Sequence, residues 1–439
     1  MLFFSIIMLL IIALGMIKLE NSIINPISML YILWALILYL ASLELFGLFH
    51  VSDKIYRMIV LGLVSFGVGY IIIRAFTSTW RKRKQIDSNS KDQLSDKYEI
   101  RYRLVYLLCT ITILYHLKEL SVVLQYLLSG NSLAYIRAMA QDSTSTIHAN
   151  KSGLENALKI LIVTPLTGAL QPVVATDFFN GKRNKILFFL NVIILSLRVI
   201  TDGSRTYVIY FAICLIISFF FANKKRENLL TNSLKISKKK QYIIFSFLIV
   251  IIMYFIYLVT ASRSGDNIVT FAYYYFSMQP IMFEKWANIV DLQNIYGYGI
   301  AATNGFSFAF HYIMSNFFGI PYPEFWRSIY NLIEGTGTDW QTITAQGTSA
   351  NSFVSAFWVF YLDGRELGVY FGMFIYGILT AVSFSTAKYT KNLKSLSIYS
   401  IIYLGLFYTF VRLQFANVFY AMTFLYVFFV MYKRKRGTK

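Results

Sequence analysis

Long apolar runs separated by polar segments fill most of this chain. Runs of membrane-spanning length recur at residues 2–17, 26–49, 55–76, 104–128, 154–176, 186–200, 206–222, 242–260, 367–387, 397–411 and 413–432. About twenty apolar residues cross the hydrocarbon core of a bilayer as one α-helix. The pattern therefore predicts an all-α, polytopic integral membrane protein with about 11 transmembrane helices.

One interval interrupts this pattern. Between residues 261 and 366 the apolar stretches at 268–283 and 300–320 carry more polar residues than the other runs. They would lie flat, dip into the bilayer or cross it, and two crossings would raise the count to about 13. The sequence thus predicts helices 1 to 8 in residues 1–260, a large extracytoplasmic loop with semi-apolar helices in 261–366, and the last three helices with a basic tail in 367–439. Loops this long in compact folds are usually functional.

Composition and charge support a membrane location. Hydrophobic residues make up 57% of the chain and charged residues 14%, which excludes an ordinary soluble domain. With loops assigned alternately to two faces, 27 of the 41 lysines and arginines fall on one face and 11 on the other. The positive-inside rule then places the N-terminus outside and the basic C-terminal tail inside. The net charge of +20 is explained by these basic loops next to a lipid bilayer, so no nucleic-acid partner is expected.

The residues that usually hold metals are sparse. Both cysteines, Cys109 and Cys214, lie within apolar runs, where a free cysteine behaves as a small hydrophobic residue. The sequence contains no Asp-x-Asp pair and no cluster of His or Cys. We therefore expect no metal site, no cofactor and metal-independent chemistry.

Four short motifs follow one another along the chain. They are GNSLAYIRAM at 130–139, TDGSRTYVIYF at 201–211, TASRSGD at 260–266, and a segment at 348–377 that contains YLDGRELG. In order and spacing they resemble the bacterial oligosaccharide repeat-unit polymerases, the Wzy-type enzymes of O-antigen and capsular polysaccharide synthesis. The DGRELG corner departs from that family, because charged residues stand where an aromatic and a small apolar residue are expected.

This resemblance implies a GT-C-like fold and a glycosyltransferase activity. Similar enzymes transfer a growing glycan from polyprenyl pyrophosphate to a hydroxyl of an incoming lipid-linked repeat unit on the outer face of the membrane. The implied location is the bacterial cytoplasmic membrane. The implied partners are polyprenyl-pyrophosphate-linked oligosaccharides, the bilayer, and flippase and chain-length regulator proteins.

Two arginines are the leading catalytic candidates. Negative charge builds up on the leaving pyrophosphate, and a guanidinium group suits phosphate oxygens. Arg205 and Arg263 are both predicted at the outer ends of spans, with Asp202 and Asp266 placed to orient them. The alternative is that these pairs are interfacial ion pairs that only terminate helices.

The acceptor hydroxyl also needs a general base. The outer-face candidates are Asp266, His311, Asp339 and Asp363, and the sequence does not choose among them. His311 has an alternative role as a packed residue in its aromatic stretch. We assign Asp266 and His311 to the catalytic group, together with the two arginines.

Further charged residues of the four motif segments are assigned to substrate binding. The first and last segments contribute Arg137, Asp363 and Arg365, and Asp202 belongs to the second. Aromatic faces suit pyranose rings, although an aromatic belt at headgroup depth is the competing explanation. Trp340 stands apart from such a belt, because it lies in the polar stretch EGTGTDWQTITAQGTSAN at 334–351, for which we predict a mobile binding loop.

A second group of ionisable residues lies inside a predicted span. His116, Lys118 and Glu119 fall near the middle of residues 104–128, where such groups are costly to bury. They would either line a groove for the carrier lipid or form a structural tie to Glu44 or Arg74.

Two other functions remain open from the sequence. A flippase or transporter of lipid-linked oligosaccharide would also use embedded charges and aromatic sugar contacts. An O-antigen ligase would share the outer loop but would pass the glycan to a lipid A core.

Overall fold

The computed structural model describes residues 2–22, 24–86, 98–131, 135, 139, 153–202, 206–222 and 268–435. The helices are α1 (Leu2–Glu20), α2 (Pro26–Ser42), α3 (Asp53–Ile86), α4 (Tyr102–Leu128), α5 (Gly153–Asn180, with a π-helical stretch at Lys159–Val163), α6 (Lys185–Asp202), α7 (Thr206–Phe220), α8 (Ile268–Ser277), α9 (Gln279–Gln293), α10 (Ile300–Phe318), α11 (Glu324–Thr338), α12 (Ser355–Thr390), α13 (Leu393–Phe407) and α14 (Val418–Leu425, extended by a π-helix at Tyr426–Val430). Short strands are β1 (Tyr98–Ile100), β2 (Gln341–Thr342), β3 (Ser349–Ala350) and β4 (Tyr432–Arg434).

The structure confirms a helical membrane protein. In the described part of the chain, six helical segments are long and apolar enough to cross a bilayer, and they lie in α1, α3, α4, α5, α12 and α13. Three shorter apolar helices, α2, α7 and α14, coincide with further predicted spans. Residues 186–200 lie in the helix Lys185–Asp202. The predicted span 242–260 lies outside the described residues. The six long apolar helices found among the described residues are therefore fewer than the predicted 11 or so spans.

Several predicted boundaries were wrong. The run 26–49 is not one helix, because α2 ends at Ser42 and the backbone takes positive φ angles at Glu44, Phe46 and Gly47. The helix that contains the late span predicted from 367 starts earlier, at Ser355, but it is broken at Gly364 and Arg365, so its second segment agrees with the predicted start. The runs 397–411 and 413–432 are interrupted between residues 408 and 416 by two short 3₁₀ turns. An apolar run alone did not reveal these breaks, because tertiary hydrogen bonds satisfy the backbone there.

The region 268–366 is built mostly of helices. It comprises α8 to α11, a small hairpin of β2 and β3, and the first part of α12. The predicted loop at 334–351 is in fact the end of α11 followed by this hairpin. Hydrogen bonds tie the hairpin to the segment after α2, from Phe49 N to Ile343 O (3.0 Å) and from Ala345 N to Gly47 O (2.9 Å).

The described chain divides into two compact units. The first contains residues 1–89, 237–385 and 402–418. Within it, α1 and α2 are joined by small and polar residues: Ser28 donates to Ala13 O (2.8 Å), and Asn25 donates to Met16 O (3.0 Å). The Asn25 side chain also caps α2 by accepting from Ile27 N (3.1 Å). Such contacts between small and polar residues are typical of helix pairs in membranes.

The second unit contains residues 90–236, 386–401 and 419–439. Its buried polar anchor is Asp177 in α5. The Asp177 carboxylate accepts from Tyr102 Oη (2.7 Å), Lys182 N (3.0 Å) and Asn184 N (2.8 Å), so it fixes the turn between α5 and α6. Strands β1 and β4 pair antiparallel, with Tyr98 opposite Arg434.

Helices α3 and α12 approach closely at two glycines in the first unit. A Cβ added at Gly377 would collide with the backbone of Phe66 and Tyr70, and one added at Gly69 would collide with the Phe374 carbonyl. Both glycines are therefore required by the helix crossing.

Gly377→Ala is expected to lower the free energy of unfolding by about 1–3 kcal/mol, because the methyl group meets backbone atoms that cannot move aside. Thermal unfolding of the purified protein in detergent measures this. Gly15→Ala is the matched control, since no atom lies within 4 Å of the added Cβ and the helix gains propensity. Equal melting temperatures for the two variants would contradict the packing argument.

Candidate functional site

The structure describes only part of the predicted site. Arg137, Arg205, Arg263 and Asp266 lie outside the described residues, and Asp202 ends α6 with its side chain outside the description. Their predicted roles stay predictions. His311, Trp340, Asp363 and Arg365 are described, and all four belong to the first unit.

Asp363 serves as a remote cap for α10. Its carboxylate accepts from the backbone N–H groups of Gly299 (2.9 Å), Ala301 (2.9 Å) and Ala302 (2.8 Å). Helix α12 is broken at Gly364 and Arg365, and the freed carbonyls of residues 362 and 363 accept from Gly297 and Tyr298. The break therefore delivers a buried carboxylate to the positive end of a helix. This contact gives Asp363 a structural role, and its role in substrate binding stays a prediction.

Arg365 fastens the connection between α9 and α10. Its guanidinium pairs with Asp291 (Nε to Oδ1, 2.9 Å) and donates to Ile295 O (2.9 Å) and Val290 O (3.1 Å). The Tyr296 ring lies 4.2 Å from the guanidinium carbon. Because carboxylate, carbonyl and ring partners surround it, the group holds the chain in place.

His311 packs within an aromatic stack. Its ring centroid lies 4.9 Å from that of Trp326 and 5.5 Å from that of Phe310. Trp326 in turn stacks between Tyr322 (5.3 Å) and Tyr330 (5.0 Å). These contacts favour the packed alternative for His311.

Trp340 is 65% exposed at the base of the hairpin of β2 and β3. Unlike the buried Trp326 and Trp358, it offers an open ring face. The position is compatible with the predicted sugar contact.

A cleft of about 300 Å³ opens between α9 and α11. Apolar side chains, including the buried Trp286 and Leu332, form its floor. Gln293, Ser328, Asn331 and Asp339 supply its polar groups. The Asp339 carboxylate is exposed and accepts from Thr338 Oγ1 (2.8 Å). Of the described candidates for a general base, Asp339 is the one that faces a cleft.

Arg412 lies on the other side of the same helix end. This partly buried residue follows α13, between the two 3₁₀ turns, and its Nη2 donates to Thr336 Oγ1 in α11 (2.6 Å). Burial lowers the pKa of the Arg412 guanidinium, and the Glu334 carboxylate opposes this shift. Within the described residues no carboxylate forms an ion pair with Arg412. A partly buried cation with spare donors is suited to an anionic ligand.

Two glycines of the EGTGT segment separate these features. A Cβ added at Gly335 would lie 3.4 Å from both Trp286 and Asp339, whereas one added at Gly337 would lie 3.6 Å from Arg412 Nη2 and from Ser352 Oγ. Larger side chains at these positions would therefore fill the cleft or the space beside Arg412.

Arg412 was not among the residues predicted from the sequence. A lone arginine between two apolar runs, in VRLQFAN, was a usable signal.

The ionisable residues predicted inside the bilayer, His116, Lys118 and Glu119, lie in the second unit. His116 is buried and lies 3.2 Å from the Glu119 carboxylate, which lies 3.5 Å from Lys159 Nζ, and Lys118 pairs with Glu155. In the first unit Arg74 pairs with Glu20 (Nε to Oε1, 2.6 Å), and Glu44 pairs with His50. The observed partners thus differ from the suggested ties to Glu44 or Arg74.

The fold defines an all-α, membrane-embedded protein. Among the residues that the structure describes, no group of three or more His, Cys, Asp or Glu side chains is arranged to hold a metal. Comparison with protein-family models, curated proteins and solved structures found no match to this chain.

Proposed function

We propose that this chain is a metal-independent glycosyltransferase that polymerises lipid-linked oligosaccharide repeat units. In this proposal it has about 11 spans and a GT-C-like arrangement in a bacterial cytoplasmic membrane, and the region 268–366 faces outward. The order of the four sequence motifs supports the family. The observation that carries the proposal is the partly buried Arg412, which has no carboxylate pair among the described residues and lies beside a cleft that contains Asp339.

The proposed reaction joins two lipid-linked glycans. The bond between the anomeric carbon of the donor glycan and the pyrophosphate oxygen breaks, and its electron pair leaves with the polyprenyl pyrophosphate. A hydroxyl of the incoming repeat unit forms the new glycosidic bond and gives its proton to Asp339. Arg412 stabilises the negative charge on the leaving pyrophosphate, and the sequence motifs propose the same role for Arg205 and Arg263. Flippase and chain-length regulator proteins are the proposed partners.

A deletion strain tests the reaction class. Lipid-linked glycans are extracted and analysed by mass spectrometry, and their side of the membrane is tested in intact spheroplasts with an impermeant glycosidase. Single repeat units exposed outside are the expected result. Units retained inside would instead indicate a flippase, and full-length polymer retained on the carrier lipid would indicate a ligase.

The proposed topology predicts opposite labelling of two exposed positions. A cysteine at Thr338 should react with an impermeant maleimide in intact cells whose outer layers are permeabilised, whereas one at Lys391 should react only after lysis. Cys109 and Cys214 are buried and would be replaced by alanine to give a clean background. Labelling of Lys391 alone in intact cells would invert the proposed topology.

A further inference from the structure

The cleft between α9 and α11 combines an apolar floor with polar groups from both helices. The floor includes Trp286 and Leu332, and the polar groups are two carboxamides, a hydroxyl and a carboxylate. A carboxamide both donates and accepts hydrogen bonds, as a hydroxyl does. A ligand with one apolar face and several hydroxyl groups would match both parts. A volume of about 300 Å³ is at the small end of ligand sites.

The charge of the lining residues indicates which kind of ligand the cleft would accept. Among the described residues that line the cleft, Asp339 is acidic and none is basic. An anionic ligand would therefore meet a like charge without a compensating cation. Arg412 does not line the cleft, because it approaches α11 at Thr336 and Gly337.

Gly335 keeps the cleft open. This glycine lies in the last turn of α11, where glycine is unfavourable relative to alanine by roughly 1 kcal/mol. Its lack of a side chain leaves the space between Trp286 and Asp339 free, since an added Cβ would contact both.

We infer that this cleft binds a single uncharged sugar ring and discriminates against sugars that carry a carboxylate. The sugar lies over the apolar floor, and its hydroxyl groups bond to Gln293, Ser328, Asn331 and Asp339. That this sugar belongs to a lipid-linked repeat unit rests on the proposed function, whereas the binding itself does not.

Saturation-transfer NMR on the purified full-length protein in nanodiscs tests this inference. The probes are the methyl glycosides of glucose, galactose and N-acetylglucosamine, together with methyl glucuronide and methyl galacturonide. At least one neutral probe should bind, and each uronide should bind roughly tenfold more weakly than its neutral counterpart, because of the like charge. Asp339→Asn should raise uronide binding.

Two variants test the location of the site. Gly335→Leu fills the cleft and should abolish the neutral signal, and Asn331→Ala should weaken it, so the test survives if the leucine variant fails to fold. Arg327→Leu, on an exposed position of α11 outside the cleft, should bind as the native protein does. The inference is overturned if no neutral probe binds, if uronides bind equally well, or if Gly335→Leu and Asn331→Ala both bind like the native protein.

Failure here is distinguishable from failure of the proposed function. Normal sugar binding in a protein whose deletion leaves polymer synthesis unchanged would overturn the polymerase proposal alone. Loss of polymer in the deletion strain with no binding of neutral sugars would overturn only the assignment of this cleft.

Discussion

Arg412→Ala should reduce polymer growth by about 100-fold, the scale seen when one preorganised donor to developing charge is removed. Single lipid-linked repeat units should accumulate in cells that carry this variant. The reason is that Arg412 has donors to spare beyond its bond to Thr336 and no carboxylate pair in the described part of the chain. Glycan length and the amount of lipid-linked units are measured in a deletion strain that expresses each variant at equal level.

The Arg412→Lys variant distinguishes a bidentate contact with pyrophosphate from a role that needs only the positive charge. A lysine keeps the positive charge but loses the planar fork, so a bidentate contact with pyrophosphate predicts only partial rescue. A generic electrostatic role predicts nearly normal polymer from the lysine variant. Arg327→Ala removes an exposed arginine of α11 and serves as the matched control, with polymer length unchanged.

A purely structural role for Arg412 needs its own control. Thr336→Val removes the acceptor of the hydrogen bond to Arg412 but leaves the guanidinium and the packing volume in place. If Arg412 only holds the end of α11, this variant should lose as much activity as Arg412→Ala. The catalytic role predicts a much smaller loss. Near-normal polymer from a well-expressed Arg412→Ala protein would refute that role.

The helical content could be predicted from sequence because apolar runs report directly on burial in lipid. The breaks in those runs could not be predicted, because they depend on distant partners. Glu44, Phe46 and Gly47 leave the helical conformation where Tyr273 and Tyr274 bond to the same segment. Those tyrosines lie more than two hundred residues away in the chain, and no local pattern connects them.

The candidate site likewise combines features that the sequence predicts with features that depend on distant contacts. Asp363 and Arg365 were chosen for their charge within a motif, and both prove to be bound by the chain itself. Asp339 was one of four possible bases, and its place in a cleft depends on how α9 meets α11. Arg412 becomes notable only because the fold places no carboxylate of the described residues within ion-pair distance of it. Sequence shows which groups are present, whereas packing decides which of them remain available.

Asp363→Ala should lower the free energy of unfolding by about 3 kcal/mol, the upper part of the range for hydrogen bonds to a charged group. The substitution removes the acceptor of the Gly299, Ala301 and Ala302 N–H groups, and the Ala301 backbone is buried, so water cannot readily replace the carboxylate. It also removes a negative charge from the positive end of α10. Asp363→Asn keeps one acceptor oxygen, so its free energy of unfolding should fall between those of the alanine variant and the native protein.

Thermal unfolding in detergent measures the three proteins. The control is Asp53→Ala, which removes an exposed carboxylate in the first turn of α3. If the alanine variants at 363 and 53 melt at the same temperature, the Asp363 carboxylate does not anchor α10, and its predicted role in substrate binding becomes the better explanation for an aspartate at this position.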